Sequence, residues 1–300
     1  MDDLTMNQVK SRPLRPKSDL PWESKDAWIR LVIYYTLIIA LMITLQHGFA
    51  DLTVVLFRSS DLVNLPILVA NIQAAVIGFI GIGLTFIFLK YDDKSFSHIG
   101  VKRRSNITFL VLVALGATVF ALFVANIIES LGNVVSFDQM MRDRFKIESD
   151  LSALIEFGFR FIVVLGGIAI GEEIMFRGYI QNLLESQISF KYATIISSVL
   201  FGLIHSFLLT SATKQAIQSM VAVGISATIF GFVFAYAYHI TGKNIILPVL
   251  IHGIWNNIIF YFNTEYNYET IWNILAEILS QLVAALIILY ILYRLQDKLN

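Results

Sequence analysis

Eight stretches of about twenty mostly apolar residues, separated by short polar breaks, run through most of this 300-residue chain. A helix needs about 20 such residues to cross a hydrocarbon core ~30 Å thick. The stretches fall at about 28–49, 65–89, 107–130, 151–171, 192–210, 216–240, 244–263 and 270–293. In lipid the backbone must satisfy its own hydrogen bonds, which leaves helices or closed barrels. The runs lack the alternation of a barrel strand. The expected fold is therefore all-α, a polytopic transmembrane helix bundle of about eight spans. Composition agrees, with 57% hydrophobic and 15% charged residues, where a soluble domain has about half and a quarter. Zero net charge gives no electrostatic sign of a nucleic-acid partner, and the absence of cysteine excludes disulfides and thiolate metal sites.

Residues 1–27 read as a cytosolic N-terminal tail, with Lys10, Arg12, Arg15, Lys17 and Lys25 among acids and prolines and no apolar core of a signal peptide. Residues 28–106 hold the first two spans and a basic loop, and 107–296 hold the remaining spans. With the N-terminus inside, the tail, the loop Lys90, Lys94, Lys102, Arg103 and Arg104, and later Arg177, Lys191, Lys243, Arg294 and Lys298 are all cytoplasmic. Outside segments carry Arg58, Arg142, Arg144, Lys146 and Lys214. This imbalance predicts a plasma-membrane protein with both termini in the cytoplasm.

Charges inside the spans carry the chemistry. Between Arg160 and Glu172 lie eleven uncharged residues, about 16 Å of helix, so at least one of the two lies within the membrane. Ionised groups there cost about 2.5–3.5 kcal/mol each even on a lenient scale, and they mark functional sites. Glu173 and Arg177 stand i, i+4 in the favourable order and are expected to pair. Glu172 is turned ~100° from Glu173 and has Phe176 at i+4, so it is the carboxylate left for another task. His205 ends Phe201-Gly-Leu-Ile-His205, and His252 opens His252-Gly-Ile-Trp-Asn256, with Asn256 one turn on from His252. Counted from their flanking charges, the two histidines differ in depth by about five residues, or ~7 Å. His47, His98 and His239 read as structural. Glu156 and Arg160 read as a second i, i+4 pair, and Glu277 as lining a groove or bonding a neighbouring helix. Gly166, Gly167, Gly171, Gly224 and Gly231 allow close helix approach, and Gly166 with Gly167 also loosens the helix before Glu172.

Glu172-Glu173-Ile-Met-Phe-Arg177, Phe201-Gly-Leu-Ile-His205 and His252-Gly-Ile-Trp-Asn256 resemble, in this order, the three signature motifs of the CAAX protease and bacteriocin-processing family. These membrane peptidases are related to the type II CAAX prenyl endopeptidase. The resemblance runs from about Ile107 to the C-terminus, and the loop Phe96-Ser-His-Ile-Gly-Val-Lys-Arg is similar to the family's segment before its core. It implies that Glu172 and His205 activate a water, that His252 and Asn256 stabilise the oxyanion, and that Glu173 and Arg177 support the site. The implied substrate is a membrane-associated peptide or protein. Nothing in the sequence recognises an isoprenoid.

Such an inventory suits a glutamate-type protease without a cofactor, in which neutral His252 and the Asn256 amide each donate one N–H to the oxyanion. Zinc held by Glu172, His205 and His252 is the alternative, although it would need Glu173, already committed to Arg177, as its base. Two further readings stand beside the protease: a catalytically silent immunity or regulatory protein acting by contact, and a transporter with a midplane site, for which the expected inverted halves are missing.

Overall fold

The computed structural model describes residues 26–57, 65–101, 106–131, 151–206, 214–261 and 270–299. Every regular element among them is helical. Helix α1 spans Ala27–Phe57, α2 Leu65–Tyr91 and α3 Ile107–Leu131. Helix α4 is one unbroken run from Leu151 to Glu185 whose winding changes along its length, as detailed below. Then come α5 (Phe190–Ser206), α6 (Lys214–Ile240), α7 (Ile246–Tyr261) and α8 (Ile271–Leu299). The bundle is the polytopic all-α fold expected. The N-terminal tail before Asp26, the 132–150 loop, Lys102 to Arg104 and the side chains of His47, Glu156 and Lys214 lie outside the described residues.

Five helices are each long and apolar enough to cross a membrane: α1, α2, α3, α6 and α8. The other three depart from a simple span. Helix α4 carries Glu172, Glu173 and Arg177, α5 has 17 residues and α7 has 16, about 25 Å of rise for either short helix. These three carry every motif residue. The lipid-facing surface of the bundle is apolar, with Val32, Leu112 and Ile162 more than 60% exposed. No water drives helices together in lipid, so close packing must come from small residues and buried hydrogen bonds. Between α5 and α6, side chains at Gly202, Gly224 and Gly231 would run into Thr228, Ser206 and Ser198 across the interface. Tyr35 of α1 donates to the Leu200 carbonyl of α5 at 2.7 Å.

Helix α7 starts inside the bundle. A tight turn with positive φ at Gly242 (63°) and Lys243 (64°) reverses the chain after α6. Asn244 Oδ1 then caps α7 by accepting the Ile246 N–H at 2.9 Å, and Pro248 sits in the first turn, where its missing N–H costs nothing. The turn is docked on Gly100 (φ 90°), whose carbonyl accepts the Ile245 N–H at 3.1 Å. A side chain at Gly100 would strike the Lys243 carbonyl.

Candidate active site

Helix α4 presents the site through an interrupted winding. Val164–Ala169 and Ile174–Gln181 are π-helical, and the single α turn Ile170–Glu173 lies between them. The first π stretch contains Gly166 and Gly167, which weaken an α-helix by about 1 kcal/mol each relative to Ala and so ease the change of winding. This matches the loosening expected of the glycine pair. Gly166 has open space where a side chain would stand, so it serves the winding and not helix approach. The flanking π stretches turn Glu172 and Glu173 toward different partners.

Glu172 faces two helices at once. Its Oε2 lies 3.5 Å from His205 Nε2 and 3.6 Å from His252 Nε2. The depth difference counted from flanking charges is removed by the staggered starts of α5 and α7: His205 follows Phe190 by fifteen residues, His252 follows Ile246 by six. The carboxylate oxygen is buried and accepts no hydrogen bond at these distances. The side chains of Glu172 and His205 keep 20% and 18% exposure, whereas His252 keeps 3%. The pocket therefore opens on the Glu172–His205 side. Asn256 lies one turn beyond His252 on α7 and is half-buried.

The second carboxylate does more than the sequence suggested. Glu173 Oε2 meets Arg177 Nε at 3.2 Å with both side chains fully buried, as the i, i+4 spacing predicts. Its other oxygen, Oε1, is 2.8 Å from His252 Nδ1. A carboxylate paired with a guanidinium can only accept there, so His252 gives its Nδ1 hydrogen to Glu173. A neutral His252 so arranged has only a lone pair at Nε2, and donation from Nε2 takes the doubly protonated ring. His205 Nδ1 lies 2.7 Å from the Phe201 carbonyl, to which it must donate, so a neutral His205 also turns a lone pair toward Glu172.

A family model described as Type II CAAX prenyl endopeptidase Rce1-like matches residues 155–258, about a third of the chain, and that segment contains all three motifs. Residues 155–258 are similar to that family. The family described is one of endopeptidases, and the chain is a multi-pass membrane protein. No curated protein matches the chain.

Within the matched segment, aromatic rings line the apolar side of the site. Arg177 donates from Nη2 to the Gly231 carbonyl at 3.0 Å, and its guanidinium lies over Phe201 (4.5 Å) and Phe234 (5.3 Å). Phe234 also stacks on His252 at 4.7 Å and 15°. Sequence reasoning took Gly231 only as a packing glycine and passed over Phe234, which has no polar atom to draw attention. The histidines read as structural remain so where described: His98 bonds Ser95 at the head of its short loop helix, and His239 stacks on Phe190 at 3.9 Å. Glu277 is buried in α8, three residues before Ser280, whose hydroxyl lies 2.7 Å from Glu129 of α3.

One end of the matched segment is tied by a polar belt that gives a depth scale. Lys243 Nζ bonds Asn182 Oδ1 at 2.7 Å and Glu185 Oε2 at 2.6 Å. Glu172 is ten residues from Asn182 on α4, and His252 nine from Lys243 along the chain into α7. By residue count the two side chains therefore lie at a similar depth below the belt.

Proposed function

We propose that the chain is an intramembrane endopeptidase that hydrolyses a peptide bond of a membrane-associated peptide or protein, with both of its own termini in the cytoplasm of a plasma-membrane-spanning bundle. The observation that carries this reading is the meeting of Glu172 Oε2 with the Nε2 atoms of His205 and His252 at 3.5 and 3.6 Å, from three separate helices. A single water fits here by giving one hydrogen to Glu172 Oε2 and the other to the lone pair of neutral His205 Nε2.

In the mechanism, Glu172, helped by His205, takes a proton from that water as its oxygen bonds to the carbonyl carbon. The carbonyl oxygen, now negative, is held by the Nε2–H of doubly protonated His252 and by the Asn256 amide. Donors of this kind in a dry site contribute on the order of 3 kcal/mol each. When the tetrahedral intermediate collapses, the C–N bond breaks and Glu172 returns its proton to the leaving amine. Glu173 supports the charged His252 through Nδ1, while Arg177 balances Glu173.

A zinc reading draws on the same atoms, since two neutral imidazole lone pairs and a carboxylate are a known catalytic set. Glu172, His205 and His252 would hold the ion, which would supply Lewis-acid activation of water. The donor types fit, and the 3.5 and 3.6 Å separations are close to the ~3.3 Å that tetrahedral ligands at about 2.05 Å span. Glu173, engaged by both Arg177 and His252, is a poor base for that chemistry, so we favour the metal-free route. Complete loss of activity on chelation, restored by zinc, would overturn that choice.

The decisive experiment compares membrane peptides by mass spectrometry in cells carrying the wild-type chain or Glu172→Gln. Peptides that persist only with Glu172→Gln identify substrates. Identical peptide sets together with an intact cellular phenotype would favour a protein acting by contact.

A further inference from the structure

The first π stretch of α4 rests on a helix outside the Rce1-like match. Helix α2 lays Ala75, Gly78 and Gly81 against Gly167, Gly171 and Met175. The fit is backbone against backbone: a side-chain carbon on Gly78 would overlap the Gly167 carbonyl oxygen, and one on Gly171 would overlap the Gly78 backbone. One on Gly167 would overlap Ala75. The Ile170 N–H bonds back to Leu165 and Gly167, so the Gly167 peptide touched by Gly78 belongs to the ladder that sets the winding. Glu172 is the next residue after Gly171.

We infer that Gly78 of α2 is a positioning residue for Glu172: by letting α2 bear directly on Gly167 and Gly171, it fixes the π winding that aims the carboxylate between His205 and His252. This rests on the proteolytic reading of that site for its effect on catalysis, but not for its effect on geometry. The substitutions along α2 separate register from packing. At Gly81 an added methyl would meet only the flexible end of Met175, and at Gly83 it meets nothing within 4 Å. Misplacing a reacting group by about 1 Å can cost 10²-fold in rate. Gly78→Ala should therefore lower kcat about 10- to 100-fold with KM within about twofold. Gly81→Ala should cost a few-fold and recover in combination with Met175→Ala. Gly83→Ala should match wild type.

A readout independent of activity uses the cysteine-free chain. In a Glu172→Cys/His205→Cys variant, a short bis-methanethiosulfonate, which joins two thiols by displacing two sulfinates, reports the approach of positions 172 and 205 in purified, folded protein. The crosslinking yield should fall at least threefold when Gly78→Ala is added and stay constant with Gly83→Ala. Equal yields in the two backgrounds would overturn the inference, whatever the activity. A yield that depends on Gly78, together with no proteolysis by the wild-type chain, would sustain the placement and remove the protease reading instead. Should Gly78→Ala fail to fold, Ala75→Val thickens the same face opposite Gly167 and takes its place in both measurements.

Discussion

Asn182 and Glu172 stand ten residues apart on the same helix, both in polar networks buried by neighbouring helices, yet the networks are completed to different degrees. At the belt, the Asn182 amide nitrogen lies within 2.7–3.2 Å of the Gly178 and Arg177 carbonyls and the Tyr238 hydroxyl, and its oxygen accepts from Lys243. Glu185 takes hydrogens from Gln181 and Lys243; only Gln181 Oε1 lacks a partner there. At the site, Glu172 Oε2, Glu173 Oε2 and the Arg177 Nε and Nη1 groups have no hydrogen bond of good geometry. Buried polar groups are nearly always satisfied, and exceptions call for a reason such as catalysis. The belt is nearly complete, whereas at the site Glu172 Oε2, on the partly exposed side, is left without a hydrogen bond.

Glu172→Gln tests that contrast most strongly. A positioned general base contributes about 10²–10⁴-fold, so cleavage by the purified variant should fall by that range. Removing a charge with no hydrogen bond should move unfolding stability by less than about 0.5 kcal/mol. Loss of stability without loss of cleavage would assign Glu172 to the belt's kind of role. Glu173→Gln should do both kinds of damage. It strands Arg177 in an apolar interior, at about 3–5 kcal/mol for a broken buried pair, and it unmoors His252 at Nδ1. Adding Arg177→Met should recover most of the stability, read by thermal unfolding in detergent, and none of the activity. Recovery of both would show that the pair serves only to hold the fold.

How far the sequence reached follows the same division. The helices could be located because lipid requires long apolar runs, and α2, α3 and α6 begin and end within a few residues of those runs. The Glu173–Arg177 contact followed from helical spacing alone. What spacing could not supply was anything depending on how separate helices stagger or wind. Counting from Lys191 and Lys243 set His205 and His252 at different depths, because it could not foresee how α5 and α7 stagger against each other. The π stretches shift every residue after them off the α-helical wheel, so the bond from His252 to Glu173 had no signature in either motif. Phe234 lay in an ordinary apolar run.

Asn182→Ala should be a purely structural lesion. It removes the acceptor of Lys243 and the partner of the Tyr238 hydroxyl, and leaving such groups unmet costs about 1–3 kcal/mol. The activity per folded molecule should stay within about threefold of wild type, since nothing at the belt touches the reacting groups. A large fall in kcat with unchanged stability would mean that the belt sets the register of α7, and with it His252, so that the two networks act as one.

Phe234→Leu should have the smallest effect and draws the boundary between the networks most finely. Leucine keeps an apolar filling under the site but removes the ring face that stacks on His252 and meets the Arg177 cation. Such stacking is worth about 0.5–1.5 kcal/mol, and the cation contact up to about 2 kcal/mol when desolvated. Phe201, closer to Arg177 at 4.5 Å, remains to hold the guanidinium, so most of the cation term survives. The net expectation is about 1 kcal/mol, or roughly fivefold in kcat by the usual 1.36 kcal/mol per decade, with KM unchanged. A loss confined to stability would make Phe234 an ordinary packing residue, and the orientation of His252 would then rest on Glu173 and the edge contact with Phe201.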